Sequence, residues 1–278
     1  MLGIIGGSGF YKLLDQVEEK NVETPFGAPS APIAVGEYQG KKVAFLPRHG
    51  LAHGLPPHKI NYRSNLWALK QLGVDRVLAP CAVGSLQPHI KPGEFVIIDQ
   101  FIDRTCGRAD TFCEGAASAG LGGNFGRVAH PSPAHPYCSD LSKLATESCR
   151  ALGITVHDKG TVVVINGPRF STKAESRWFS SHGWEVINMT QYPEAMLARE
   201  LEMCFCGIAL VTDYDAGLEG HPEVEAVDAG SVLEVFKQNN EKLGKLLFEI
   251  IAKLPETPTN LIQGIIFKIR EIILAFLK

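Results

Sequence analysis

The chain carries no long basic run: 27 lysines and arginines stand against 30 aspartates and glutamates among 278 residues, a formal net charge of -3. That balance lacks the electrostatic footprint of a nucleic-acid binder, so no nucleic-acid partner is expected, although one or two cations are enough for a small phosphate site. Cysteine shows no framework. The seven cysteines make an odd number, contain no CxxC pair and sit partly in apolar runs such as Cys204-Phe205-Cys206, which predicts reduced thiols and neither a disulfide framework nor a zinc site. The opening MLGIIGGSGF has no basic region and no long apolar core, so no signal peptide is expected and a cytoplasmic location is. Near the end, Lys268 and Glu271 interrupt the apolar stretch from Leu261 to Leu277. A membrane-spanning helix needs about 20 apolar residues with few charges, so no membrane partner is expected. Internal repeats and low-complexity linkers are also lacking.

What is present is ordinary for a soluble globular protein, 45% hydrophobic and 21% charged, with a length suited to one large α/β domain or two small ones. Short β-branched runs predict strands at Leu2 to Ile5, Lys42 to Pro47, Arg76 to Pro80, Gly93 to Phe101, Gly160 to Ile165, Trp184 to Ile187 and Phe205 to Val211. A small-residue turn is expected at Ala82 to Ser85. Apolar residues at three and four spacing predict helices over 61–72, 141–152, 195–201 and 232–254. Because strands and helices interleave throughout, the expectation is one α/β domain over 1–254. A helical tail over 255–278 would pack its apolar stripe on the core or on another subunit.

Residues Cys204 to Leu218 form the stretch around which the rest is organised. The apolar run Phe205 to Val211 fits a strand buried on both faces, and it ends in Thr212-Asp213-Tyr214-Asp215. On a strand, residues two apart point the same way, so both carboxylates would face one side at the sheet end where open α/β folds bind ligands. Mutual repulsion and burial keep one of a close pair protonated near neutral pH, and such a group donates a proton to a ring nitrogen. The alternative is that the two aspartates merely open a loop and cap a helix.

Candidate anion groups recur at other strand ends. Gly6-Gly7-Ser8-Gly9 after the first strand offers backbone N–H groups and a hydroxyl, or is simply a turn. It does not match GxGxxG and lacks the acidic partner of a dinucleotide site. Arg48-His49-Gly50 places a forked, permanently charged donor at the end of the second strand. His49 and His53 would bind metal only from a helix, which Gly50, Gly54, Pro56 and Pro57 disfavour. Ser171 is a helix-cap candidate after Gly167-Pro168, and Phe170 is left near the sheet edge. The glycine-rich stretch from Asp103 to Ser139 is long enough to cover a site.

Taken together, GIIGGSG (3–9), ETPFGAPS (23–30), RHG (48–50), NYRSNLWALK (61–70), VIIDQFIDRT (96–105), GPRFSTKAES (167–176), NMTQYPEAMLARE (188–200) and TDYD (212–215) resemble the trimeric purine nucleoside phosphorylase superfamily. Within it they are similar to the 5′-methylthioadenosine phosphorylases, in matching order from residue 2 to about 250. The resemblance implies a central mixed β-sheet flanked by helices. It also implies phosphorolysis of 5′-methylthioadenosine to adenine and 5-methylthioribose 1-phosphate, with inorganic phosphate as co-substrate and no metal or organic cofactor.

On the same footing, Ser8, Arg48, His49, Ala82 and Thr190 would bind phosphate, Met189 would lie under the ribose, and Phe170, Ser171, Asp213 and Asp215 would bind the purine. Asp213 would protonate or hydrogen-bond N7, and Asp215 would hold the 6-amino group. Val232 would line an apolar 5′ pocket, and His130 would reach the site of a neighbouring subunit in a homotrimer. Cys81 departs from the family by standing where a threonine is common, which removes a hydroxyl from the phosphate site. A broader purine nucleoside phosphorylase and a non-catalytic nucleoside-binding protein are the other readings.

Overall fold

The computed structural model describes residues 1–6, 15–115, 120–121, 125, 130–224 and 229–256, with only the backbone of 15, 229–233 and 236. Of the tail expected over 255–278, residues 257–278 lie outside the described residues.

The strands are β1 (Leu2–Gly6), β2 (Asp15–Lys20), β3 (Ile33–Tyr38), β4 (Lys41–Pro47), β5 (Arg76–Ser85), β6 (Phe95–Ile98), β7 (Gln100–Arg104), β8 (Val156–His157), β9 (Thr161–Ile165), β10 (Val186–Asn188) and β11 (Cys204–Tyr214). The helices are α1 (Tyr62–Gln71), α2 (Ser139–Ala151), α3 (Lys173–Ser181), α4 (Gln191–Glu200) and α5 (Ala229–Lys253). The strands form one mixed sheet in the order β2-β3-β4-β1-β5-β10-β9-β7, and β11 runs parallel to β5 and joins β6 and β8 to it. The parallel pairs β1–β4, β1–β5 and β11–β5 bring several strand ends to one edge, and the site forms there.

β11 is buried on both faces, as its apolar run predicts. Phe205, Ala209 and Val211 pack into a core with Leu66 and Leu69 of α1 and Ala195 and Leu197 of α4. Cys206, Ile208 and Leu210 pack on the other face with Leu141 and Ala145 of α2 and Leu246 and Ile250 of α5. Helices therefore cover both sides, and alternation along one strand serves two cores. Among the described residues no helix is long and apolar enough to cross a membrane.

Three local expectations change. The turn expected at Ala82 to Ser85 is instead the end of a longer β5, because β10 and β11 both pair with that stretch. The single strand expected over 93–101 divides at Asp99, whose carboxylate accepts from Gly160 N. Cys138 and Cys204 form a disulfide with a Cα–Cα distance of 5.1 Å, which corrects the all-thiol reading. They are 66 residues apart in sequence and meet because α2 starts beside the first residue of β11, a proximity that spacing does not encode. The other five cysteines are free.

Candidate active site

A cavity of about 560 Å³ is lined by the C-terminal part of β5, residues 187–190, the segment after β9 and the end of β11. Arg48, His49, Ala82, Phe170, Ser171, Met189, Thr190, Asp213 and Asp215 all line it, so the fold brings these nine predicted residues together. Of the remaining three, Ser8 and the side chain of Val232 lie outside the described residues. His130 is exposed and is not part of this lining.

At one end, β4 delivers Arg48, which is 3% exposed. Its Nε donates to Glu194 Oε1 at 2.6 Å, Nη2 to Glu194 Oε2 at 2.9 Å and to Ile5 O at 3.0 Å, and Nη1 to Pro80 O at 3.0 Å. Four of its five N–H groups are thus engaged within the protein, leaving one on Nη1. Burial opposes the Arg48 charge, but the Glu194 charge and hydrogen bond outweigh it and leave the guanidinium pKa raised; burial also leaves the Glu194 pKa raised against the pull of Arg48. The cavity therefore meets a rigidly held guanidinium whose charge is already paired with Glu194.

His49 Nδ1 lies 2.8 Å from Leu55 O, which can only accept, so Nδ1 carries the proton and Nε2 is left as an acceptor. Burial, with the nearby Arg48 and His53 charges, lowers the His49 pKa to about 4. Its ring is neutral at neutral pH. Thr190 is the N-cap of α4, yet its hydroxyl makes no capping bond. Cys81 Sγ accepts from Asn188 Nδ2 at 3.2 Å and Gln191 Nε2 at 3.5 Å. Burial raises its pKa, so it remains a thiol.

At the other end the two aspartates flank Gly84. A Cβ built there would come within 3.5 Å of Asp215 Cβ and 3.7 Å of Asp213 Oδ2. The register of β11 on β5 shifts between Val211 and Asp213. Thr212 Oγ1 lies 2.6 Å from Asp213 Oδ1 and 3.2 Å from Val83 O. Thr212 spends its one hydroxyl proton on the nearer acceptor, Asp213 Oδ1, and Val83 O is the more distant alternative. Burial raises the Asp213 pKa and the Asp215 charge adds to it, outweighing the Thr212 hydrogen bond, which lowers it. Ser171 Oγ donates to Asp215 Oδ2 at 2.6 Å. One carboxyl is placed to hold a proton and the other to accept hydrogen bonds.

A model of the Phosphorylase superfamily matches residues 1–252. The chain belongs to this phosphorylase superfamily. It is 53% identical over 253 residues to the S-methyl-5′-thioadenosine phosphorylase of Mycolicibacterium smegmatis, covering 90% of each chain. It is 51% identical over 255 residues to that of Pyrococcus furiosus, covering 92% of this chain and 93% of the other. A purine nucleoside phosphorylase of Streptomyces coelicolor is 49% identical over 254 residues, 91% of this chain and 89% of the other. Among solved structures, a methylthioadenosine phosphorylase from an antarctic soil metagenomic library superposes with a TM-score of 0.86 at 38% identity, covering 96% of this chain and 91% of that one.

At this cavity the structure removes one alternative and adds a residue. Ser171 does not cap α3. Thr172 does, accepting from Glu175 N while the Glu175 side chain accepts from Thr172 N, a reciprocal capping box. That frees the Ser171 hydroxyl for Asp215. Glu194, read from sequence only as part of a helix start, is wholly buried against Arg48. An acidic residue in a first helical turn is an ordinary dipole partner, and nothing in the local pattern signals its burial. Among the described residues no three His, Cys, Asp or Glu side chains converge as a metal-ligand set; the His49 and His53 rings pack against each other with centres 4.5 Å apart and planes tilted by 33°.

Proposed function

We propose that this chain is a pentosyltransferase that cleaves 5′-methylthioadenosine with inorganic phosphate, giving adenine and 5-methylthioribose 1-phosphate. The observation that carries the reading is the two-ended cavity, with Asp213, its pKa raised by burial, and a Ser171-supported Asp215 at one end and Arg48, His49 and Thr190 at the other. The relatives named S-methyl-5′-thioadenosine phosphorylase at 51% and 53% identity support the same substrate.

A phosphate oxygen attacks C1′ as the bond from C1′ to N9 breaks, and the electron pair of that bond passes into the purine. Asp213 transfers its proton to N7 and leaves as a carboxylate, so the base departs as neutral adenine. Asp215 accepts from the 6-amino group, a role that suits adenine over a 6-oxopurine. Phe170, 77% exposed at the cavity mouth, covers the base, and Met189 supports the ribose. Phosphate takes the remaining Arg48 N–H, His49, Thr190 and the Ala82 backbone, with Ser8 completing the set. In this reading the reaction needs no metal or organic cofactor. The enzyme is a cytoplasmic homotrimer serving purine and methionine salvage, Val232 lines the 5′ pocket, and His130 reaches a neighbouring site.

A second reading is a phosphorylase that also takes adenosine. Asn239 and Asn240 of α5 line the cavity beside Leu243, so its wall is not wholly apolar, and the Streptomyces relative carries the broader name. The test is adenine release from 5′-methylthioadenosine with and without phosphate, beside adenosine, methylthioinosine and inosine. Phosphate-dependent release, fastest with the methylthio substrate, is expected. Equal rates on adenosine favour the second reading, and no release from any substrate rejects both.

A further inference from the structure

Arg108 lies in the stretch after β7, and among the described residues it makes no ion pair. Its charge is answered by backbone. Nη2 donates to the carbonyls of Met189 at 2.8 Å, Asn166 at 2.9 Å and Ile165 at 3.4 Å; Nη1 donates to the carbonyl of Tyr192; Nε donates to Asn166 Oδ1 at 3.3 Å. The guanidinium also lies over the Tyr62 ring, 5.3 Å from its centre.

Those carbonyls belong to the two segments that carry the cavity walls. One bears Ile165, Phe170 and Ser171, the other Met189 and Thr190. The segments touch directly, since a Cβ on Gly167 would fall 2.6 Å from Met189 Sδ. A planar trans peptide points its N–H opposite to its C=O, so drawing the Met189 carbonyl onto Arg108 also sets the direction of the Thr190 N–H.

We infer that Arg108 is a positioning residue for the phosphorolysis proposed above, holding the base-side and phosphate-side segments in one register through their carbonyls. The inference rests on that reading for its kinetic consequence. Misplacing reacting groups by about 1 Å costs about 100-fold in rate, and a loss approaching that is expected in kcat/KM for Arg108→Ala. Arg108→Lys recovers little, because a single ammonium does not reproduce the planar fork. Free guanidinium at a non-denaturing concentration restores part of the Arg108→Ala activity.

Arg63→Gln is the comparator. Arg63 anchors the same stretch through Glu114 at 2.9 Å and Thr111 O at 3.4 Å, but it touches no wall carbonyl. It should lose little activity and gain nothing from guanidinium. Equal losses in the two variants, or an Arg108→Ala loss that guanidinium does not relieve, would overturn the inference. If the unaltered protein turns over no nucleoside, the function reading has failed instead. Calorimetric adenine binding then decides for Arg108: weaker binding by Arg108→Ala than by Arg63→Gln sustains the positioning role, and equal binding rejects it.

Discussion

At the scale of single residues, the chemistry turns on which groups carry protons. In the proposed reaction Asp213 serves as the acid, a role favoured by burial opposing its ionisation, so activity that needs its proton is expected to fall as pH rises through its raised pKa. Asp213→Asn keeps the shape but cannot transfer a proton. It should lower kcat/KM on adenine nucleosides by about 100-fold or more and leave phosphate affinity nearly unchanged, as read by adenine release and by phosphate calorimetry. Equal losses in both would contradict the assigned role. His49 behaves oppositely. Its folded pKa of about 4 lies below the ordinary 6.5, so the unfolded chain binds the extra proton first. The stability it contributes is present above pH 6.5 and is lost as pH falls toward 4. Because the ring is partly exposed, the loss is set at roughly 1 to 2 kcal/mol. Thermal melts at pH 7.5 and 4.5 should converge more closely for His49→Gln than for the unaltered protein.

At the scale of elements, neighbouring hydroxyls divide two jobs. Thr172 caps α3 and Ser171 holds Asp215. Thr172→Ala should cost about 1 kcal/mol of stability, with a modest fall in melting temperature and near-normal kcat. Ser171→Ala should do the reverse, weakening adenine binding with little change in melting temperature. Similar profiles for the two variants would show that the division is wrong. The disulfide between the start of α2 and the start of β11 closes a loop of 66 residues, for which chain entropy assigns about 4 kcal/mol. A reductant should lower the melting temperature by several degrees, and Cys204→Ser should be insensitive to it. Identical melts with and without reductant would contradict the pairing.

At the scale of the whole molecule, the fold works by bringing strand ends together. Arg48 reaches the cavity from β4, Asp213 from β11 and Thr190 from the start of α4. No two of them are neighbours in the chain. The assembly expected from the family is a homotrimer, so sedimentation should give about three times the 30.2 kDa chain mass. A monomer with full activity would remove the proposed role of His130 in a neighbouring site.

Much of this was legible in the residues themselves. A buried strand needs a continuous apolar run, and an acidic end to that run has few structural uses, so β11 and its aspartates stand out without any coordinates. Arg48 stands out because a strand-end sequence carries its anion-binding chemistry locally, whereas Phe170 and Met189 are assigned through the family resemblance. Tertiary structure alone decided which hydroxyl caps and which binds Asp215, that Glu194 neutralises Arg48, that Cys138 meets Cys204, and that Arg108 gathers carbonyls from two walls. Each depends on the distance between groups 40 or more positions apart, or on burial that local pattern does not encode. Sequence specifies which groups exist and what each can donate or accept; folding selects which of those capacities face one another.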